Sequence, residues 1–451
     1  MASRTREGRP DVFVIARNGS SGVSVRAVRG VTAALAVAVL AAHPLVASAQ
    51  APVTLRGAVD TALSQHPSVA AAQQALAAAQ ARLVQARAAQ NIQITLTAQS
   101  SYGNTGTIPS GGPATNTNSA PVAASMSLID RQVYYQVKQA EAAVASLGAT
   151  YAQARQDVAL AAGQAYFSVL QAQAVVAARE AAVARAEAQV RQSAAQVSAG
   201  VAARADVLQA QATLAAAQVD LIAARNQVET ARTQLQAAMG RPLTESVLVA
   251  PPTARPAGPS SRDQVVAGAP HRPEVVRSQA DVAGAEAAFS LAQVRADPLF
   301  TVTTASSVDV LKDPTRQVVW TIGATVTYYL SDGGRAQATV AEARANLAAA
   351  QAKQTQALQS AQVDAITAWI SLQDALARVE AGRASEASAA EALRAAEGRY
   401  QAGVGTIVEV LIARAAAESA TLSRIQAEFD AQSASLRLRY VVGQPVIEGD
   451  Q

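Results

Sequence analysis

Residues 199–208 read Ala199-Gly200-Val201-Ala202-Ala203-Arg204-Ala205-Asp206-Val207-Leu208, and residues 402–411 read Ala402-Gly403-Val404-Gly405-Thr406-Ile407-Val408-Glu409-Val410-Leu411. The second is the first displaced by 203 positions: Gly-Val recurs, an acid falls six residues after each glycine, and Val-Leu follows each acid. Gly240-Arg241-Pro242 and Gly443-Gln444-Pro445 keep the same displacement. A fixed-period repeat constrains a fold more than any local propensity, because both copies must form the same supersecondary unit. Here the unit is a glycine turn between two long helical runs.

Walking outward from the turns gives each copy the same order of elements. His66-Pro67-Ser68-Val69 starts a helix running to Gln90, with proline in the first turn. The period then falls to two: Ile92, Ile94, Leu96, Ala98 and Tyr102 alternate with polar residues, as a strand with one apolar face requires. A Gly/Asn/Thr/Pro loop from Gly103 to Pro121 and a shorter alternation from Val122 to Leu128 complete a β-hairpin, about 92–129. Asp130 closes it as the N-cap of a proline-free helix, about 131–198, on the order of 100 Å long. Val144, Tyr151, Val158 and Ala165 recur every seven residues, as an interhelix seam does. A helix of about 204–239 follows the turn.

The stretch 251–272, rich in Pro, Gly, Ser and Ala, reads as a linker between a first repeat (50–250) and a second (273–451). Pro273-Glu274-Val275 restarts the pattern 206 residues after Pro67-Ser68-Val69, and Asp297 falls where Asn91 fell. A hairpin of about 299–330, a helix of about 335–400 opened by Asp332-Gly333-Gly334-Arg335, the second turn, and a helix of about 406–442 follow. Eleven residues separate Leu347 from Leu358 in the seam, a stutter that unwinds a supercoil locally.

Composition assigns a compartment. Six arginines in residues 1–30, the apolar run 31–42 and Ala47-Ser48-Ala49 form a secretory signal, with the mature chain starting at Gln50. Removing 1–49 takes six of the 37 basic and two of the 33 acidic residues and leaves 31 of each, so no basic footprint for nucleic acid remains. Cysteine is absent, which excludes disulfides and a lipid anchor on cysteine. No mature stretch holds 18 consecutive apolar residues, so none reads as a membrane helix. An exported chain of this kind is periplasmic, or sits in an outer membrane by β-strands. Four strands with one apolar face cannot close a barrel, since open edges in hydrocarbon cost several kcal/mol per unpaired group. Other copies must complete it, and three copies supply twelve strands.

These features together resemble the TolC-like family of outer-membrane efflux factors. The resemblance rests on the Asp130 and Asp332 strand-to-helix junctions, the tip sequences 200–208 and 400–411, the Gly-x-Pro endings and their duplication, and it covers almost the whole mature chain. It implies a mainly α fold with β-hairpins, a duplicated long-helix coiled-coil protomer. Each protomer would give four strands to a trimeric 12-stranded β-barrel that continues as a periplasmic α-helical barrel. It also implies a passive outer-membrane channel for efflux or type I secretion. Its partners would be a periplasmic adaptor (membrane fusion protein), an inner-membrane transporter of RND, ABC or MFS type, and outer-membrane lipid. A periplasmic adaptor or a structural coiled coil without a conduit is the alternative reading. The adaptor would carry one helical hairpin beside a compact β-rich domain, whereas this chain has two.

By position, the resemblance makes Gly200, Val201, Gly403 and Val404 the adaptor-binding tip, and Asp206, Tyr400 and Glu409 the entrance or gate. The family's arginine two residues after the second tip glycine is here Gly405, and the acid one turn after Glu409 is Ile412, so Arg204 is the candidate cation for a differently built lock. Asp206 and Glu409 also fit ordinary first-turn acids on helix dipoles, and Tyr400 fits packing between helices. Asp130 and Asp332 read as caps. Trp320 and Tyr328 read as membrane-interface aromatics or as fillers between protomers. His66 and His271 stand beside helix-starting prolines without a ligand set, so capping is expected, with no metal and no cofactor. No nucleophile–base pair, phosphate loop or carboxylate pair points to an enzyme.

Overall fold

Proline sets the start of two matched helices, α2 (Pro67–Ala88) and α6 (Pro273–Val294), each 22 residues long. Its fixed φ suits the first turn, where the missing N–H would have no partner. The preceding residues, His66 and Arg272, are extended, as the proline ring demands. His66 is also a cap: its Nδ1 accepts from Ser68 N at 3.3 Å. Both helices end in the same turn, with Asn91 N–H donating to Ala88 O and Asp297 N–H to Val294 O, each at 3.0 Å.

These elements belong to a computed structural model that describes residues 53–444 apart from 98, 105–113, 120–121, 130, 201, 243–248, 250–260, 296, 309–317 and 329. In 99–104, 114–119, 122, 125–129, 299, 305–308 and 318–320 the backbone alone is described. The leader, the cleavage point at Gln50, Asp130 and Val201 therefore lie outside the described residues, as does the side chain of Trp320.

The long helices are α3 (Arg131–Ser198, 68 residues) and α7 (Arg335–Gln401, 67 residues), each about 100 Å by its rise per residue. Their return partners α4 (Arg204–Met239) and α8 (Ile407–Val442) have 36 residues each. Each ends at a glycine with positive φ, Gly240 at 70° and Gly443 at 77°. Buried positions of α3 and α7 match at a displacement of 203: Ala162 with Ala365, Val169 with Leu372, Ala172 with Ala375. Alanine at many of these positions lets the helix axes approach closely.

The core is a string of separate clusters. In the largest, Tyr166 and Phe167 of α3 meet edge to face at 5.8 Å and pack with Val228, Leu235 and Met239 of α4 and Leu436 of α8. Gly163 lies so close under Leu436 that a Cβ there would sit 2.5 Å from Leu436 Cδ2. Toward the glycine turns the clusters shrink to Ala375, Val379, Ala427 and Ala431, then to Ala396, Tyr400, Ile407 and Val410.

Among the described residues the strands are β1 (Gln93–Leu96), β2 (Gln99–Asn104), β3 (Ala114–Ser119), β4 (Val122–Ile129), β5 (Leu299–Val308) and β6 (Val318–Thr327). A four-stranded antiparallel sheet has the order β1-β4-β5-β6, and β2-β3 is a separate ribbon. Ile94 stands opposite Ala124, Ala124 opposite Thr304, and Thr304 opposite Ile322, so one residue from each strand shares a row. Ile94 (73% exposed), Ile322 (67%) and Val326 (58%) lie on one face, while Thr301, Thr303, Thr321 and Thr325 lie on the other. One face is mainly apolar, with Thr304 on it, and the other carries mostly threonines; among the described residues the two outer strands, β1 and β6, pair on one side only.

Several boundaries differ from the sequence reading. Ahead of His66, where the sequence reading placed no element, lies α1 (Leu55–Gln65), with Thr54 Oγ1 capping Gly57 N and Ala58, Val59 and Ala62 buried. The stretch 251–272 is not all linker. Ser261 caps α5 (Arg262–Gly268), which buries Val265 against Ala365, Leu372 and Leu438, and a 3-10 turn, Ala269–His271, follows. The loop read from Gly103 to Pro121 contains β3, whose Thr/Asn/Ser residues join a ladder by backbone pairing without an apolar alternation. The last hairpin strand ends at Thr327, leaving Tyr328 and Leu330 beyond the ladder. One described helix, α4, is long and apolar enough by composition to cross a membrane. Its apolarity is mainly alanine, and Arg225 pairs with Glu180 at 2.9 Å and Asp220 with Arg179 at 3.0 Å, which fits a water-facing seam with α3.

Candidate channel entrance and membrane end

Two turns close the ends of the helix pairs farthest from the sheet. In the first, Gly200 has φ 78° and its N–H donates to Val197 O at 3.0 Å. α4 then starts with no side-chain cap on Ala203, and Asp206 lies in its first turn. Arg204 and Asp206 form no ion pair among the described residues. In the second turn Gly403 has φ 74°, and Val404 N–H and Gly405 N–H both donate to Arg399 O, at 3.0 and 3.1 Å. This is the wrap by which a left-handed glycine satisfies the last carbonyls of a helix. Thr406 Oγ1 then accepts from Glu409 N at 3.3 Å and caps α8.

Glu409 does not stand free. Its Oε2 lies 3.0 Å from Arg399 Nη2, across its own turn. Arg399 was not singled out in the sequence, although it precedes Tyr400 in the turn pattern. Gly405, noted there as a departure, has a local cause: a Cβ at this position would meet Arg399 Cβ at 3.0 Å and Arg399 C and Tyr400 N at 3.1 Å. No side chain fits at residue 405 while the turn wraps Arg399, and the cation at this turn comes from Arg399 of the same chain.

Tyr400 is 9% exposed, packed with Ala396, Ile407 and Val410, and its hydroxyl donates to Gln196 Oε1 at 2.7 Å. The packing expected from the sequence is present, and beside it stands a hydrogen bond within the chain. The bond ties α7 to α3, and similar bonds continue away from the turns. Arg414 Nη2 donates to Gln189 Oε1 at 3.3 Å and to Glu397 Oε1 at 3.1 Å. Arg179 pairs with Glu418, Gln171 bonds Gln426, and Tyr440 Oη donates to Asp157 Oδ1 at 2.6 Å. Burial, and then that bond, push the Tyr440 phenol up to about 12. The α3/α4 pair is thus joined to the α7/α8 pair by a ladder of polar side chains, with a shared hydrophobic block near Tyr166 and Leu436 among the described residues.

At the opposite end Asp332 takes the strand into α7. Its Oδ1 accepts from Gly334 N at 3.0 Å and its Oδ2 from Ala336 N at 2.6 Å, across two glycines with positive φ. Those backbone bonds, Ala336 first, hold its carboxyl below the usual range. At the other junction, Arg131 Nη1 pairs with Asp297 Oδ2 at 2.8 Å. Tyr328 is exposed just past β6, and Trp320 stands opposite Ser306 within the ladder. A groove of about 710 Å³ lies between the end of α6 and the start of α7, lined by Arg295, Leu330, Asp332 and Arg335 among others.

A duplicated unit with an aliphatic-faced sheet at one end and two glycine turns at the other agrees with one family of proteins. The sequence profile described as outer membrane efflux protein matches residues 58–241 and 269–444, most of both repeats. The chain belongs to that family. This efflux protein is accordingly an outer-membrane efflux channel, in a family of channels rather than enzymes. Among curated protein sequences none matches it. Solved structures resemble it in fold at low identity. The outer-membrane channel OprN is 18% identical with a TM-score of 0.77, over 87% of this chain and 90% of its own. The outer membrane protein VceC from Vibrio cholerae is 20% identical with a TM-score of 0.77, over 87% and 97%. The outer membrane channel MtrE of Neisseria gonorrhoeae is 20% identical with a TM-score of 0.75, over 86% and 89%.

Proposed function

We propose that three copies of this efflux protein form one conduit. Their four-stranded sheets would close a twelve-stranded barrel in the outer membrane, and their helices would continue it through the periplasm. Substrates would arrive from an inner-membrane transporter through a periplasmic adaptor and move passively, with energy supplied by the transporter. The observation that carries this reading is the four-stranded sheet with one aliphatic face and two open edges, mounted on helices of about 100 Å.

The adaptor would dock at the turns of Gly200–Val201 and Gly403–Val404. Val404 is 78% exposed, and its side chain projects from a turn fixed by Arg399 O. At rest the entrance would be held by the Tyr400–Gln196 bond and by the Arg414 contacts to Gln189 and Glu397, which docking would break as α7 and α8 swing from α3. Glu409 would ring the axis in three copies, partly neutralised by Arg399, with Asp206 and Arg204 at the neighbouring turn.

The decisive experiment is membrane fractionation followed by planar-bilayer recording of the purified protein. Outer-membrane recovery with discrete conductance steps is expected. A protein that fractionates there and never conducts would refute the conduit, and adaptor co-purification unaffected by Gly403→Trp would place docking elsewhere.

A further inference from the structure

The two strand-to-helix junctions of the chain differ in how their charges are paired. Arg295, the residue after α6, and Arg335, the first of α7, both line the groove of about 710 Å³, and neither guanidinium has a hydrogen-bond or ion-pair partner among the described residues. The acids of the junction are engaged elsewhere. Asp332 accepts from Gly334 N and Ala336 N, and Asp297 pairs with Arg131 at 2.8 Å.

The first repeat reaches the same turn without free cations. Ala89 stands 206 residues before Arg295, which is the displacement of α2 from α6. Arg131, which opens α3 as Arg335 opens α7, is the arginine that Asp297 neutralises. Two unpaired arginines are therefore no requirement of the backbone at this junction.

The groove has an apolar side as well. Ile322 and Val326 lie on the apolar face of the sheet, and Tyr328 and Leu330 follow them in sequence at the same two-residue spacing. Leu330, 92% exposed, lines the groove together with Ala292. A small anion would satisfy the arginines and leave Leu330 in water, whereas an uncharged apolar molecule would cover Leu330 and leave the arginines without a counterion. An anionic lipid satisfies both.

We propose that this groove binds a monoanionic glycerophospholipid of the phosphatidylglycerol class, with its phosphate between Arg295 and Arg335 and its acyl chains running past Leu330 along the apolar face. Guanidinium forks match phosphate oxygens, and basic pockets beside membrane-embedded segments hold lipid head groups in this way. With Asp332 counted, Arg295 and Arg335 leave a single net positive charge, which a single phosphodiester neutralises. Both arginines stand at the helical end of the sheet, so the lipid belongs to the periplasmic leaflet. The proposal rests on the reading that the sheet forms part of a barrel wall in the outer membrane, and adds a site on that wall and its ligand.

Native mass spectrometry of the full mature protein, released from phosphatidylcholine vesicles with or without phosphatidylglycerol, tests it. A parallel sample from phosphatidylcholine vesicles carries inorganic phosphate in the buffer. Wild type should retain phosphatidylglycerol on each chain and no phosphatidylcholine. Arg295→Gln with Arg335→Gln should lower that retention about 10-fold or more, as the loss of charge-assisted hydrogen bonds implies. Arg191→Gln with Arg378→Gln removes the same charge from exposed positions on α3 and α7 and should retain the lipid. Equal retention by all three proteins, or of both lipids, overturns the site. Bound inorganic phosphate in place of phosphatidylglycerol overturns the lipid as ligand. A multimer that retains neither lipid shows the groove covered by the next copy and overturns the proposal while the conduit stands. Protein that never inserts into the vesicles overturns the barrel wall, and this proposal with it.

Discussion

Tyr400 and Gln196, 204 residues apart in sequence, are joined by a hydrogen bond of 2.7 Å from phenol to carboxamide oxygen. Among the described residues it is the bond nearest the turns between the two helix pairs, and the cluster beside it, Ala396, Tyr400, Ile407 and Val410, is built from α7 and α8 alone.

Tyr400→Phe keeps the packing with Ile407 and Val410 and removes only that bond. A net hydrogen bond contributes about 0.5–1.5 kcal/mol, so the open population should rise roughly 2- to 10-fold. Open probability in planar bilayers checks this. A wild-type value would show that the bond does not restrain the entrance.

The Arg399–Glu409 pair is more than two-fifths exposed on both sides and should contribute about 0–1 kcal/mol, so its loss should barely move the melting temperature. Charge is the sharper readout. Arg399→Ala should raise cation preference, Glu409→Ala should lower it, and the double variant should return near wild type. Reversal potentials across a KCl gradient separate these outcomes. Unchanged selectivity in both single variants would remove Glu409 from the pore.

Gly403 and Gly405 should fail for different reasons. Gly403→Ala meets nothing within 4 Å but forces a side chain into left-handed backbone, at about 1–2 kcal/mol. Gly405→Ala collides with Arg399 and Tyr400, at about 1–3 kcal/mol of overpacking. Asparagine should therefore partly rescue position 403 and not position 405. Limited proteolysis at the turns, scored against thermal melts, tests the contrast.

Alkaline titration should expose Tyr440. Its folded phenol holds its proton up to about 12, because of burial and then Asp157, against about 10 for an unperturbed tyrosine. Between those values the unfolded chain binds fewer protons, so stability falls as pH rises through that window and is fully present below it. Tyr440→Phe should flatten the slope of melting temperature between pH 10 and 12. An identical slope would place the alkaline loss in other groups.

Much of this was legible in the sequence where period and punctuation agree. The doubled Gly-Val turns, the two prolines that start α2 and α6, and the alternation from Val318 lead to the same helices and strands that are observed. What stayed hidden depends on contacts between distant segments. α5 needed Val265 to find Leu372 and Leu438, more than a hundred residues away, and β3 needed a partner strand because its own residues carry no apolar period. At the second glycine turn, Glu409 and Tyr400 were singled out by position. Arg399 was not, because its partner is set by how the turn wraps, and the reason for Gly405 appears only when Arg399 is placed against it.

The shrinking of the hydrophobic clusters from Tyr166 toward the turns gives the helix pairs a graded stiffness. α7 and α8 are clamped near Leu436 and extend beyond the clamp alongside about 48 Å of α3, the distance from Tyr166 to Ser198 at helical rise. Such a pair behaves as a cantilever. The deflection of a rod under an end load grows with the cube of its free length, so a small sideways force at Gly403 would produce its largest movement there and almost none at the clamp. The sheet end would then hold still while the far end bends.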